Sequence, residues 1–210
     1  HFSVSKSDSG NRFQLQFDGI FRDANIWLNG FFVGNNKSGY IGASYDITDY
    51  LNFDKDNVIA VRVDASQYEG WFYEGAGIYR HVWLKQMNNL HFVEDDVFVH
   101  TDVKDKNAAV SVEATVVNQH LFPANCTVYS YITERNGKKI AQTKEQTLSL
   151  GVNAKGTVNQ KINISNPHLW SLEDPYLYRA VTVIKSGNTI VEKVTTRFGI
   201  RTIRFDANEG

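Results

Sequence analysis

The sequence is dominated by an alternation of apolar and polar residues with a period of two. In the stretch RFQLQFD the apolar positions are Phe13, Leu15 and Phe17, and NVIAVRVD and AVSVEATVV alternate in the same way. Successive side chains of a β-strand point to opposite faces of a sheet, so this pattern predicts half-buried strands. Helical periodicity is almost absent, while Val, Ile, Thr, Tyr and Phe are abundant. The fold class predicted is therefore all-β.

A polar stretch, KQMNN at residues 85–89, separates two regions of alternating sequence. We predict one domain over 1–87, a second over 88–204, and the start of a connecting segment over 205–210. Seven strand-like runs follow the boundary, a number typical of an immunoglobulin-like β-sandwich, here without its cysteine pair. These runs are 91–99, 108–117, 125–134, 138–148, 157–164, 177–185 and 189–197.

The first region offers fewer strands than a closed jelly roll needs. It is expected to be a jelly-roll sandwich that is incomplete at its N-terminus, with further strands lying upstream or supplied by a partner. Two Asn-Gly pairs predict tight hairpin turns, because both central residues of a type I′ turn need a positive φ. Asn29-Gly30 should display Trp27 and Phe31, and Asn136-Gly137 should form a hairpin in the second domain.

Charge and composition exclude several classes of partner. The formal net charge of the 210 residues is −1, which offers no electrostatic footprint for nucleic acid and no basic patch for a membrane surface. No apolar run reaches the roughly 18 residues of a transmembrane helix. The single cysteine, Cys126, excludes an internal disulfide and is interpreted as a small core residue.

No catalytic or metal-binding motif stands out from the residues themselves. The six histidines have no metal-ligand spacing. His91, Glu94, Asp95, Asp96 and His100 are close in sequence, but side chains alternate between faces along a strand. This favours a solvated sheet edge over a metal site. No carboxylate lies in a strongly apolar context of the kind that raises an acid's pKa, and no cofactor or metal is predicted.

The most unusual stretch is EGWFYEGAGIYRHVWL, residues 69–84. Three adjacent rings, Trp71, Phe72 and Tyr73, precede the sequence Gly-Ala-Gly at 75–77. A core strand would accommodate the rings but not the glycines, and a turn would accommodate the glycines but rarely three rings. The stretch is interpreted as a loop that presses against another surface.

Several long motifs, in order along the chain, resemble those of glycoside hydrolase family 2, the β-galactosidase and β-glucuronidase family. Residues 23–64 resemble its sugar-binding domain, and GAGIYRHVWL, residues 75–84, resembles a further element of that domain. NPHLWSLEDPYLYRAVTVI resembles a pattern in the family's immunoglobulin-like second domain, and RFGIRTIRFDANEG resembles the exit into its catalytic barrel. The similarity is greatest to bacterial β-galactosidase-like members.

The resemblance implies a fold, a role and partners. It implies a galactose-binding-like jelly roll followed by the immunoglobulin-like sandwich, together forming the non-catalytic part of a retaining hydrolase of terminal β-galactosides or similar β-glycosides. Its partner would be the catalytic barrel of the same polypeptide, with carbohydrate bound weakly through the full enzyme and homo-oligomerisation left open. It points to a bacterial periplasmic or secreted protein. Both catalytic glutamates would lie beyond Gly210, so this chain alone should be inactive.

The resemblance also places the aromatic loop beside the sugar pocket. It implies a substrate-rim or barrel-docking role for residues of this loop: Glu69, Trp71, Phe72, Tyr73, Glu74 and Arg80. Three placements of the rings stay open: they pack inside their own sandwich, they dock on the barrel, or they contact sugar directly. Trp71 stands where some relatives carry an acid that touches the sugar or an ion, so no ion site is carried over. Arg80 is interpreted as a structural cation that pairs with a buried carboxylate or with carbonyls, in preference to a substrate ligand.

Two other points complete the expectations. Asn208-Glu209 superficially matches the family's acid/base Asn-Glu pair, but it precedes any barrel strand and has no second carboxylate in place, so we reject it as catalytic. The alternatives to a glycosidase segment are a free-standing carbohydrate-binding, lectin-like module and a structural array of sandwiches.

Overall fold

The alternating sequence forms strands along nearly its whole length. The computed structural model describes residues 1–66, 75–203 and 205–207. Apart from two short 3-10 turns, Lys6–Asp8 and Thr48–Tyr50, its regular structure is β, which confirms the all-β prediction. Among the described residues there is no helix long and apolar enough to span a bilayer. The chain divides into two compact units, His1–Asn88 (unit 1) and Asn89–Gly210 (unit 2).

Unit 1 contains two three-stranded antiparallel sheets and two short strand pairs. The sheets have the strand orders β10-β2-β6 and β5-β4-β8, and the short pairs are β1-β7 and β3-β9. The strands are β1 (Phe2–Ser3), β2 (Arg12–Phe17), β3 (Ile20–Phe21), β4 (Ala24–Leu28), β5 (Phe31–Asn36), β6 (Ala43–Asp46), β7 (Asp56–Asn57), β8 (Ile59–Arg62), β9 (Gly77–Ile78) and β10 (Val82–Met87).

The core of unit 1 is built from the alternation read in the sequence. Phe13, Leu15 and Phe17 on β2 are at most 2% exposed, and the residues between them face outward. Each such ring or aliphatic side chain contributes about 1.5–3 kcal/mol by its burial. On β4 the side chains of Ile26 and Leu28 enter the same core, so these two strands hold unit 1 together.

The hairpin predicted at Asn29-Gly30 is confirmed. Asn29 has a φ of +52° and Gly30 a φ of +87°, and Leu28 pairs with Phe31 across the two-residue turn. Positive φ at both central residues is the geometry of a type I′ turn. The turn leaves the Phe31 ring exposed at the tip of the hairpin.

The 3-10 turn at 48–50 is stabilised by Asp46 at the end of β6. The Asp46 carboxylate accepts hydrogen bonds from the Thr48 N–H (3.0 Å) and hydroxyl (2.7 Å), and the Arg12 guanidinium also contacts it. Burial alone would raise the pKa of the Asp46 carboxyl, but the Thr48 hydrogen bonds and the Arg12 charge together hold it below its usual value. Asp46 is therefore charged, paired and stabilising at neutral pH.

Asp46→Asn should destabilise the chain at pH 7 by less than about 1 kcal/mol, since the Asp46 side chain is partly exposed and screened. The pKa of the Asp46 carboxyl is lower in the folded than in the unfolded chain. Its charge therefore stabilises the fold at any pH above the unfolded-state pKa, and this stabilisation is lost as the pH falls through the folded-state pKa. Thermal denaturation at a series of pH values from 7 to 3 should show that the difference in Tm between Asp46→Asn and wild type becomes smaller as the pH falls. Asp49→Asn, in the same turn, is the control. A gap that stays constant down to pH 3 would disprove the charge effect.

Unit 2 is a sandwich of a three-stranded sheet, β11-β12-β16, and a five-stranded sheet in which β14-β13-β17-β18 are adjacent and β15 also pairs with β13. The fold is the one predicted, except that the predicted run 138–148 forms two strands. The strands are β11 (Leu90–Lys104), β12 (Asn107–Asn118), β13 (Ala124–Thr133), β14 (Lys139–Gln142), β15 (Gln146–Leu150), β16 (Lys155–Ser165), β17 (Tyr178–Ser186) and β18 (Thr189–Phe198).

Two features of unit 2 differ from the sequence expectations. At Asn136-Gly137 only Gly137 has a positive φ (+89°), and its N–H donates to the Glu134 carbonyl, so the hairpin turn is wider than type I′.

Glu192 contradicts the expectation that no carboxylate lies in an apolar setting. Burial raises the pKa of its carboxyl group, although the Phe92 N–H donates to it at 2.6 Å.

Cys126 has the place that the sequence predicts. Its side chain is 2% exposed and lies among the buried residues of β12, β13 and β16. Burial raises the pKa of the Cys126 thiol, because the thiolate would lose its hydration. The residue is a free, buried, inert thiol.

Candidate functional site

The loop that the sequence singles out is described at its two flanks. The predicted residues Glu69, Trp71, Phe72, Tyr73 and Glu74 lie outside the described residues, so their rim or docking role stays a prediction. Arg80 is described, as are the segment that enters the loop up to Ser66 and the segment that leaves it from Gly75. The site is therefore built from these flanks.

The segment after the loop is tied to the body of unit 1 through β9. Ile78 pairs with Ile20, and Gly77 pairs with Phe21. Gly77 has a φ of +112°, a conformation that only glycine adopts without strain. This explains the glycine before Ile-Tyr-Arg: it lets the chain turn out of the loop and into a strand pair.

Tyr79 and Arg80 pack over Gly19. The Tyr79 hydroxyl donates to the Gly39 carbonyl at 2.6 Å, and the Tyr79 N–H donates to the Gly19 carbonyl at 3.3 Å. A Cβ atom at Gly19 would lie 2.7 Å from the Tyr79 ring and 2.8 Å from the Arg80 Cδ atom. The absence of a side chain at Gly19 therefore makes room for both residues.

From the sequence, Arg80 is expected to pair with a buried carboxylate or with carbonyls. Its side chain is exposed, and among the described residues no carboxylate lies within ion-pairing distance of its guanidinium. The expected pairing with a buried carboxylate thus finds no support in that part of the chain. Its assignment to the rim or docking surface stays a prediction.

Four apolar or aromatic side chains around β9 form an exposed surface, which we call the β9 patch. It comprises Tyr40, Ile41, Ile78 and Tyr79, which are between 47% and 68% exposed. The ring of Tyr40 contacts that of Phe21 edge-on, with centroids 5.7 Å apart. Clustered exposed apolar side chains of this kind mark interaction surfaces more often than isolated ones do.

A second exposed aromatic group follows on β10. Trp83 donates from its indole Nε1 to the Asp18 carboxylate at 2.8 Å, and its ring stacks on His81 with centroids 5.2 Å apart. The Asp18 N–H donates to the His81 carbonyl at 3.0 Å. These contacts fix an amphipathic ring at the surface, with its polar edge satisfied and part of its apolar face open to solvent.

The segment that enters the loop lines a polar depression of about 350 Å³. Its walls carry Arg22, Asp23, Lys37, Asp64 and Ser66, and the Asp64 N–H donates to the Arg22 carbonyl at 3.1 Å. Closely placed donors and acceptors of both charges can hydrogen-bond the hydroxyl groups of a sugar. Sequence reasoning missed this depression, because its residues come from three separate segments. The Asp-x-Ser pattern at 64–66 was the available signal.

The depression does not have the chemistry of a catalytic acid. Ser66 donates from its hydroxyl (2.6 Å) and its N–H (3.1 Å) to the Asp64 carboxylate. These bonds, with the charges of Arg62 and Arg22, hold the pKa of Asp64 below its usual value. A glycosidase acid needs the opposite shift, a carboxyl group that stays protonated near neutral pH. Asp64 is suited to accept hydrogen bonds from a bound group.

The histidines and acids at 91–100 lie on β11, at the edge of its sheet. The pairing of β11 with β12 shifts register between Phe92 and Val97, so the simple alternation of faces assumed from the sequence is broken there. Within the ranges that the structure describes, no three histidine, cysteine, aspartate or glutamate side chains are grouped closely enough to hold a metal ion.

Comparison with known proteins gives matches over both units. Residues 1–88 match the model described as "Glycosyl hydrolases family 2, sugar binding domain", and residues 91–201 match that of "Glycosyl hydrolases family 2". The β-galactosidase BoGH2A of Bacteroides ovatus is 36% identical over 211 residues, which cover 100% of this chain and 25% of that protein. A β-galactosidase of Thermoanaerobacter pseudethanolicus is 29% identical, over 98% of this chain and 28% of that protein.

Solved structures agree. A glycosyl hydrolase family 2 member from Bacteroides cellulosilyticus has a TM-score of 0.94 and 34% identity, covering 100% of this chain and 29% of that one. A β-glucuronidase of Bacteroides uniformis has a TM-score of 0.88 and 26% identity, over 98% of this chain and 26% of that one. The chain thus spans about a quarter of the length of the curated relatives.

Proposed function

Since the chain belongs to glycosyl hydrolases family 2, we propose that it supports and completes the catalytic domain of a retaining glycosidase without itself being catalytic. Its own two units correspond to the family's sugar-binding domain and the family 2 domain matched after it. The substrates proposed for the whole protein are terminal β-galactosides or similar β-glycosides, because β-galactosidases and β-glucuronidases are among the relatives. The proposed partner is a catalytic barrel of the same polypeptide.

The observation that carries this proposal is the β9 patch. Its four side chains expose apolar surface, and the pairing of β9 with β3 together with the hydrogen bond from Tyr79 to the Gly39 carbonyl holds Ile78 and Tyr79 in place. Covering such a patch with a second domain would remove it from water, at about 25 cal/mol for each Å² of apolar surface buried. A docking surface is the role that best fits this combination of exposure and fixed geometry.

The polar depression supports a second part of the proposal, namely that unit 1 forms one wall of the sugar pocket. The segment that enters the loop contributes Asp64 and Ser66 to the depression, and the segment that leaves the loop contributes Ile78 and Tyr79 to the β9 patch. A single polar wall would bury little of a sugar, and immobilising a ligand costs several kcal/mol. We therefore propose that galactose binds the chain alone only at millimolar concentrations or higher. A free-standing sugar-binding module, the alternative, would bind it far more tightly.

Tyr79→Ser in the full-length protein should lower kcat/KM for its β-glycoside substrate by about tenfold. Losing the ring's contact with a docked domain would misplace the pocket wall, and tenfold corresponds to about 1.4 kcal/mol. Because Tyr79 also donates to the Gly39 carbonyl and packs over Gly19, the Tm of unit 1 is measured beside kcat/KM to separate lost docking from local destabilisation. Leu121→Ser, which changes a 93% exposed side chain of unit 2, is the matched control and should leave kcat/KM unchanged. Equal kcat/KM for Tyr79→Ser and wild type would refute docking through the β9 patch.

A further inference from the structure

Three arginines line one depression in unit 2, and two of them lie in the motifs at 166–184 and 197–210 that were noted in the sequence. The depression has a volume of about 220 Å³, and its walls are Arg135, Pro175, Leu177, Arg179 and Arg197. Arg179 lies on β17, Arg197 lies on β18, and Arg135 lies in the turn between β13 and β14. We call this site the arginine depression.

Two of these cations are placed directly opposite each other. Arg179 pairs with Arg197 in the register of β17 and β18. Both point to the outer face of the sheet, because the adjacent residues Tyr178 and Phe198 are buried on the inner face. Like charges directly opposite on neighbouring strands are destabilising. Elsewhere in unit 2, Lys185 is balanced by Glu145, with Nζ and Oε1 3.0 Å apart.

The three guanidinium groups lack such a balancing acid in the ranges that the structure describes. No ion pair joins any of them to a carboxylate there. The acids closest in sequence are engaged locally: Glu134 accepts from the Asn136 side chain at 3.4 Å, and Asp174 bonds the His168 ring at 2.5 Å. Positive charge that costs stability, and that no carboxylate among the described residues ion-pairs, favours the binding of an anion.

The cluster is also held in place by neutral contacts. One guanidinium nitrogen of Arg179, Nη1, donates to the Arg135 carbonyl at 3.0 Å, and the Arg135 N–H donates to the Tyr176 hydroxyl at 3.3 Å. Each guanidinium carries five N–H donors in a planar fork that matches the oxygens of a carboxylate or sulfate. Arg179 is thus fixed by one donor and keeps the others for a ligand.

We propose that the arginine depression is a binding site for an oxyanion, a carboxylate or sulfate group that is either free or carried by an acidic sugar. Pro175 and Leu177 form an apolar wall beside the cations, and such a wall packs against the carbon skeleton of an organic anion but gives nothing to a bare inorganic one. The site is independent of the glycosidase assignment, since it rests on unit 2 alone.

The test is a titration of the 210-residue chain with sodium sulfate, sodium glucuronate and glucose, at constant ionic strength, followed by thermal shift and calorimetry. Sulfate and glucuronate should raise Tm and saturate, whereas glucose should do neither. Tighter binding of glucuronate than of sulfate would identify an acidic sugar as the source, and equal binding would identify the free oxyanion.

Two variants make the test specific. Arg179→Gln should weaken anion binding at least tenfold. Arg197→Gln should do the same and, without added anion, should raise Tm because it removes one of two facing like charges. Arg62→Gln, an exposed arginine of unit 1, is the control and should bind as wild type does. The proposal is overturned if no anion saturates at constant ionic strength, or if Arg179→Gln and Arg62→Gln respond alike.

Discussion

The 210-residue chain is expected to leave p-nitrophenyl β-galactoside and β-glucuronide unhydrolysed, at a rate at least about 10⁶-fold below that of the full-length protein on its substrate. Retaining glycosidases need two carboxyl groups about 5 Å apart, one a nucleophile and one an acid with a raised pKa. The pKa of Asp64 is lowered. The pKa of Glu192 is raised, but its carboxyl group already accepts a hydrogen bond from the Phe92 N–H. Neither forms half of such a pair.

The assay should use the purified chain at high concentration, with Glu209→Gln measured beside it to detect any role of the Asn-Glu pair at 208–209. Traces of a host galactosidase would give equal rates for both proteins. Turnover by the chain that disappears in Glu209→Gln would contradict the expectation and make that pair catalytic.

Phe17→Ala should destabilise unit 1 by about 3–5 kcal/mol, the usual cost of deleting a fully buried aromatic ring. Phe17 is 1% exposed and lies between Val82 and Ala43 in the sheet register, so the cavity would open in the middle of a sheet. Because unit 2 has its own core, we expect its unfolding to be unaffected. Differential scanning calorimetry should then show one transition shifted and a second unchanged.

Phe98→Ala is the control for this experiment. Phe98 is 62% exposed on unit 2, so its removal should change stability by less than about 0.5 kcal/mol. A single cooperative transition that shifts as a whole in Phe17→Ala would show that the two units do not unfold separately. The domain division proposed at residues 85–89 would then be wrong.

The fold was predictable because each strand carries its own alternation. Phe13, Leu15 and Phe17 could be assigned to the core from their spacing alone. The run 138–148 could not be divided correctly, because its break depends on a contact across the sheet. The Thr143 hydroxyl accepts a hydrogen bond from the Ser130 N–H at 2.9 Å, in place of a backbone hydrogen bond between the strands. The second part of the run, β15, therefore pairs with an earlier part of β13 than β14 does.

The candidate sites were less predictable for a related reason. The aromatic loop stood out because its residues are adjacent, whereas the polar depression joins residues such as Arg22 and Asp64 that meet only in the folded chain. Glu192 meets Phe92 a hundred residues away. The opposition of Arg179 and Arg197 depends on a hairpin whose register shifts between Ile184 and Lys185, and no local pattern shows that shift.

The central claim, that this chain docks on a catalytic domain and completes it, is most directly tested by mixing the two. The chain is titrated with the separately produced polypeptide that follows it in the full-length protein, and complex formation is followed by calorimetry and by hydrolysis of a chromogenic β-glycoside. The account predicts a one-to-one complex and hydrolysis above that of either piece alone. No complex, together with micromolar binding of free galactose by the chain alone, would contradict it and favour an independent sugar-binding module.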